Sequence, residues 1–127
     1  MTYRIVFTDH DLAELPTVRG VFEGMDVQIV EGKRGASRDQ VADLVAGADG
    51  IVAGYREIDA DMMDGMPDCR IISRAGIGFD TVDLEAATDR GIYVTNVPDY
   101  CIPEVSDHAM ALLLALQRNI VTYDNQV

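Results

Sequence analysis

Lysine is almost missing from this chain: Lys33 is the only one, and ten basic residues face 22 acidic ones, for a net charge of −12. So negative a surface repels nucleic-acid phosphates and anionic lipid headgroups, so neither is an expected partner. Long apolar runs are lacking too. The longest, Ala109–Leu116, is far too short to span a bilayer. No basic segment followed by an apolar one opens the chain, as a secretory leader would. Cysteine is scarce: Cys69 and Cys101 are the only two and lack metal-ligand spacing. These shortages predict a cytoplasmic protein with reduced thiols, no metal site and no membrane contact. The 127 residues that remain suffice for one domain with a real core.

One stretch organises what is there. Cys69–Ser73 is a short, mostly apolar run that reads as a buried strand. A glycine turn, Gly76-Ile77-Gly78, follows, and then a helical pattern from Asp83 to Arg90 that Gly91 stops. Without Cβ atoms, Gly76 and Gly78 are free to adopt unusual dihedrals and expose their N–H groups to an anion. Arg74, at the strand's end, adds a fixed positive charge and a planar fork suited to a carboxylate. The turn therefore reads as a grip for the carboxylate of a small organic acid. A dinucleotide fingerprint, G-x-G-x-x-G, fails because Thr81 stands where the third glycine belongs. A plain strand-to-helix turn is the other alternative.

Strand and helix patterns alternate five times. Strands are expected at 3–8, 26–30, 49–53, 69–73 and 92–95. Helices are expected at 12–24, 37–47, 58–65, 83–90 and 104–119, with Ser37 as a cap and Pro103 at the last helix's start. The tail after 119 shows no pattern. Such alternation implies an α/β fold: a doubly wound, parallel, five-stranded sheet of flavodoxin-like order, whose ligands bind beyond the carboxyl ends of the strands. Three loops there carry candidate chemistry: Gly54–Arg56, Arg74–Gly78 and Asn96–Cys101. Asp9 and Asp11 end the first strand and, with no partner visible, read as solvating a loop. His10 and His108 read as surface or packing residues. A phosphoacceptor receiver domain of the same fold needs an aspartate after the third strand and a lysine after the fifth. Ala53-Gly54 and Asn96-Val97 occupy those places. The helix through Ala109–Leu116 is apolar on every side, so it should pack on something outside the chain or on a copy of itself.

The series Arg74-Ala75-Gly76-Ile77-Gly78-Phe79-Asp80-Thr81-Val82-Asp83-Leu84, then Gly91-Ile92, Asn96-Val97-Pro98 and Glu104-Val105-Ser106-Asp107-His108 through Arg118 resembles the NAD-dependent D-isomer-specific 2-hydroxyacid dehydrogenases. The nearest branch holds the C-terminal binding proteins and the phosphoglycerate dehydrogenase-like enzymes. The resemblance implies that residues 1–100 are the substrate-binding domain and 101–127 a helix leading to an NAD-binding domain. It implies that Arg74 lies near the substrate carboxylate, that the amides of Gly76, Ile77 and Gly78 meet substrate, and that Tyr55 and Arg56 close over it. Tyr100 matches an active-site aromatic, and Ile77 and Val105 match contacts to NAD or NADP. The ligand would be a small 2-hydroxy or 2-oxo acid, and a homodimer would form through the helix 104–118. The family's NAD loop and its acid/base histidine lie beyond Val127, so the chain is expected to be a fragment, inactive by itself. The alternative is a stand-alone ligand-binding or regulatory module of the same fold.

Overall fold

The computed structural model describes residues 1–9 and 16–126. Five strands, β1 (Tyr3–Phe7), β2 (Val27–Glu31), β3 (Gly50–Ala53), β4 (Ile71–Arg74) and β5 (Tyr93–Thr95), form one sheet in the order β2-β1-β3-β4-β5, every pair parallel. This is the expected flavodoxin-like order. Parallel neighbours need crossovers, and α1 (Pro16–Val21), α2 (Arg38–Val45), α3 (Ala60–Asp64) and α4 (Leu84–Asp89) provide them. One row of side chains crosses the whole sheet: Val30, Val6, Ile51, Ile72 and Val94 are register partners. On that row pack Val41 and Val45 of α2, Met62 and Met63 of α3, and Ala86 and Ala87 of α4. The β-branched row gives a flat apolar surface, and small alanines let α4 approach it closely. The β1-to-β2 connection runs the other way across the sheet, so a right-handed crossover puts α1 on the opposite face.

The helices begin where the sequence supplies caps. Ser37 and Gln40 form a reciprocal capping box at α2. Asp59 accepts the Met62 N–H at α3, and Asp83 accepts the Ala86 N–H at α4. The expected helix at 58–65 starts later because Ile58 bridges instead to Val82, its N–H donating to the Thr81 carbonyl. Of the expected helix at 12–24, residues 16–21 are helical and 12–15 lie outside the described residues, as do His10 and Asp11. After β5 comes α5 (Ile102–Gln117), and then a short α6 (Ile120–Asp124) where no pattern was visible. Asn119 turns the chain between them with a left-handed backbone, φ 51°. None of the residues of α5 is buried. No helix among the described residues is long and apolar enough to cross a membrane.

Candidate functional site

The loops after β3, β4 and β5 meet at the carboxyl edge of the sheet. Arg74 is the last residue of β4, and its register partner is Ala53, the last of β3. The two loops that follow are locked in parallel. Ala75 donates to the Ala53 carbonyl at 2.8 Å, and the Ile58–Val82 bridge ties them again further out. Over this edge the Arg74 guanidinium lies on the Tyr55 ring, 5.6 Å from its centre. A cation over an aromatic face is attracted to it without using its hydrogen-bond donors. Arg74 Nε is buried with no hydrogen-bond acceptor among the described residues. A buried guanidinium donor left unpaired is costly.

The glycine turn completes the arrangement. Asn96 Nδ2 donates to the Ile77 carbonyl at 2.8 Å, and the Val97 N–H donates to the Gly76 carbonyl at 3.0 Å. The turn's carbonyls are thus engaged from the β5 side. The N–H groups of Gly76, Ile77 and Gly78 have no acceptor among the described residues. The glycines are there for a different reason from the one expected. Positive φ occurs among the glycines at 24, 35, 47 and 91, not at 76 or 78. What Gly76 supplies is room: a Cβ there would sit 2.9 Å from Arg74 Nη1. At Gly78 a Cβ would meet Asp80 Oδ1, also at 2.9 Å.

Tyr100 joins this group. Its phenol is held above its ordinary pKa, chiefly by the neighbouring Cys101 side chain, while the nearby Arg74 cation pulls the other way. Tyr55, Arg74, Gly76, Ile77, Gly78 and Tyr100 therefore share one edge of the sheet. Tyr55 and Tyr100 are largely exposed walls, 81% and 60% accessible. Arg56 faces a neighbouring cleft of about 190 Å³ with Arg38, Val41, Glu57 and Met62, which Tyr55 also lines. Val105 is exposed in the first turns of α5.

Asp9 does not solvate a loop. It is buried, and its Oδ2 accepts the N–H groups of Tyr55 at 2.7 Å and Arg56 at 3.1 Å. Thr8 beside it is fully buried, accepts the Gly54 N–H at 3.2 Å and donates to Asp9 Oδ2 at 3.3 Å. Gly54 must be glycine, since a Cβ would overlap the Asp9 carboxylate. The clue in the sequence was an acidic residue ending β1 opposite a glycine ending β3, the two strands that flank the point where strand order reverses.

A dinucleotide's pyrophosphate does not fit these residues. The N-terminus of α4, the one that follows the glycine turn, is already capped by the Asp83 carboxylate, with Glu85 in its first turn. Those charges repel phosphate from the place a fingerprint would offer it. Ile77 and Val105 are exposed and apolar.

An open parallel sheet with a cation and unpaired amides at its carboxyl edge defines the class, an α/β domain. Residues 5–125 match the family model described as "D-isomer specific 2-hydroxyacid dehydrogenase, catalytic domain", and the chain belongs to that family of oxidoreductases. It is 39% identical over 106 residues to a glyoxylate reductase of Pyrococcus furiosus, covering 83% of this chain and 32% of that one. The TT0316 protein of Thermus thermophilus superposes with a TM-score of 0.80 at 31% identity, covering 94% of this chain and 38% of that one. The D-lactate dehydrogenase of Aquifex aeolicus, solved with NAD and lactic acid, shares the fold, with a TM-score of 0.72, 23% identity, and 88% and 33% coverage. The chain spans about a third or less of the length of the curated relatives it matches.

Proposed function

We propose that this chain is the acid-binding half of an NAD(P)-dependent D-2-hydroxyacid dehydrogenase. Arg74 and the amides of residues 76–78 grip the carboxylate of a small 2-hydroxy or 2-oxo acid. Tyr55 and Tyr100 wall it in. The observation that carries this is the pairing of an unpartnered, buried guanidinium donor with three consecutive unpartnered amides. When bound, the nicotinamide supplies hydride transfer at C2 of the acid. Ile77 and Val105 cover one side of its ring, and the pyrophosphate is held by groups other than those described. His108, exposed on α5, has no place in proton transfer, so these residues orient the acid and exclude water around it. Residues 1–100 form the acid-binding domain and 101–127 the linking helix, which pairs with its copy in a homodimer. The unpaired thiols of Cys69 and Cys101 fit a cytoplasmic protein.

The test is a titration of the nitrogen-15-labelled chain with D-lactate and, separately, with glyoxylate. Binding should move the amide signals of Gly76, Ile77 and Gly78 before any others, and Arg74→Ala should abolish the shifts. Saturable binding with those three signals unmoved would refute the assignment. Binding of an unrelated anion class at the same amides would favour the stand-alone module.

A further inference from the structure

Two successive strand ends carry the same device, one filled and one open. After β3, the amides of Gly54, Tyr55 and Arg56 all point inward, and Thr8 and Asp9 accept all three. After β4, the amides of Gly76, Ile77 and Gly78 meet no acceptor among the described residues. The first group lies at the switch point between β1 and β3, where a ligand would ordinarily sit in such a sheet. There the protein's own carboxylate takes the ligand's place, and the open anion site moves one strand over.

The filled site has a consequence for the open one. The residue whose amide makes the shortest bond to Asp9 is Tyr55, and the Tyr55 ring is the surface on which the Arg74 guanidinium rests. Gly76 leaves no bulk beside the guanidinium, where a Cβ would sit 2.9 Å from Nη1. We propose that Asp9 is a positioning residue for acid capture. Its carboxylate locks the backbone of Tyr55 and Arg56, so that the Tyr55 ring holds the Arg74 fork aimed across the glycine turn. Bonds from a carboxylate to backbone amides are strong, charge-assisted ones. Thr8 keeps Asp9 in place by donating to the same oxygen and ties down Gly54. Gly54 fixes the fit, because any side chain there would push the carboxylate away. This inference rests on the carboxylate reading of the Arg74 site, but its structural half stands apart from it.

The experiment uses the whole labelled chain, with Asp9→Asn and Thr8→Val as variants and D-lactate as the probe. Asp9→Asn keeps the shape and removes the charge. Two readouts are followed: the Arg74 Nε–H resonance of the ligand-free chain, shifted by the Tyr55 ring current, and the Kd for D-lactate. Asp9→Asn should move the Tyr55 and Arg56 amides, move the Arg74 resonance, and weaken D-lactate binding about tenfold. Thr8→Val should do the same to a smaller extent. A role confined to stability would lower the melting temperature and leave both readouts of the folded chain unchanged, and that result overturns the proposal. Should Asp9→Asn fail to fold, Thr8→Val decides by the same two readouts. If the unmodified chain binds no D-lactate, the carboxylate reading falls, and the Arg74 resonance alone decides whether Asp9 aims the arginine.

Discussion

How Arg74 is aimed depends on atoms that are absent. Gly76 gives up a side chain so that the guanidinium can lie across the turn, and the space is tight enough that one methyl group would intrude, at 2.9 Å from Nη1. Gly76→Ala should therefore displace the fork and weaken D-lactate binding roughly tenfold, about 1.4 kcal/mol. The melting temperature should hardly change, because the backbone there is not left-handed and the displaced atoms end a flexible side chain. Gly78→Ala is the comparison: its methyl meets Asp80 rather than Arg74, so it should lose less affinity than Gly76→Ala. Calorimetric Kd values for the two variants, compared with the unmodified chain, check this. Equal losses at both positions would mean that the backbone rather than the arginine governs the site.

Among the elements, α3 is short and depends on its cap. Asp59 has its carboxyl pKa held below the ordinary value of 3.8, first by the Met62 N–H and then by Arg38. A depressed folded-state pKa adds stability that is present above the ordinary value and is lost as pH falls through the folded one. Asp59→Asn should thus be less stable near neutral pH, by less than the ~1 kcal/mol that losing a cap costs, since asparagine also caps. Its denaturant midpoint should converge on that of the unmodified chain below about pH 4. Parallel midpoints across that range would show that the cap carries no charge effect. Much at this scale was legible in the sequence. The strands are short β-branched runs, Ser37 caps α2, and the glycines at 47 and 91 follow helix ends, so local chemistry fixes them; Asp59 and Asp83, expected inside their helices, are caps instead. Asp9 was misread because its partners lie 46 and 47 residues away, across a register that no local pattern encodes. The role of Gly76 was legible only in part: closeness to Arg74 is a matter of rotamer, not of sequence order.

At the scale of the whole molecule, the sheet is packed against α2, α3 and α4, while α5 is left open. Met110, Leu112, Leu113, Leu114 and Leu116 of α5 are each more than half exposed. An apolar surface of that kind is buried in a working assembly. The chain should therefore self-associate at micromolar concentrations, and the double variant Leu113→Asp, Leu116→Asp should sediment as a monomer with unchanged acid binding. A monomer for the unmodified chain at high concentration would remove the homodimer from the account. The proposed acid binding belongs to the three loops at the sheet's edge, which come from three different strands and are brought together only by the fold. The most direct measurement is a crystal structure of the chain with D-lactate bound. The account predicts its carboxylate within about 3 Å of the Arg74 guanidinium and of at least two amides among residues 76–78, with Tyr55 still beneath the arginine. A lactate bound elsewhere, with Arg74 turned out to solvent, would contradict it.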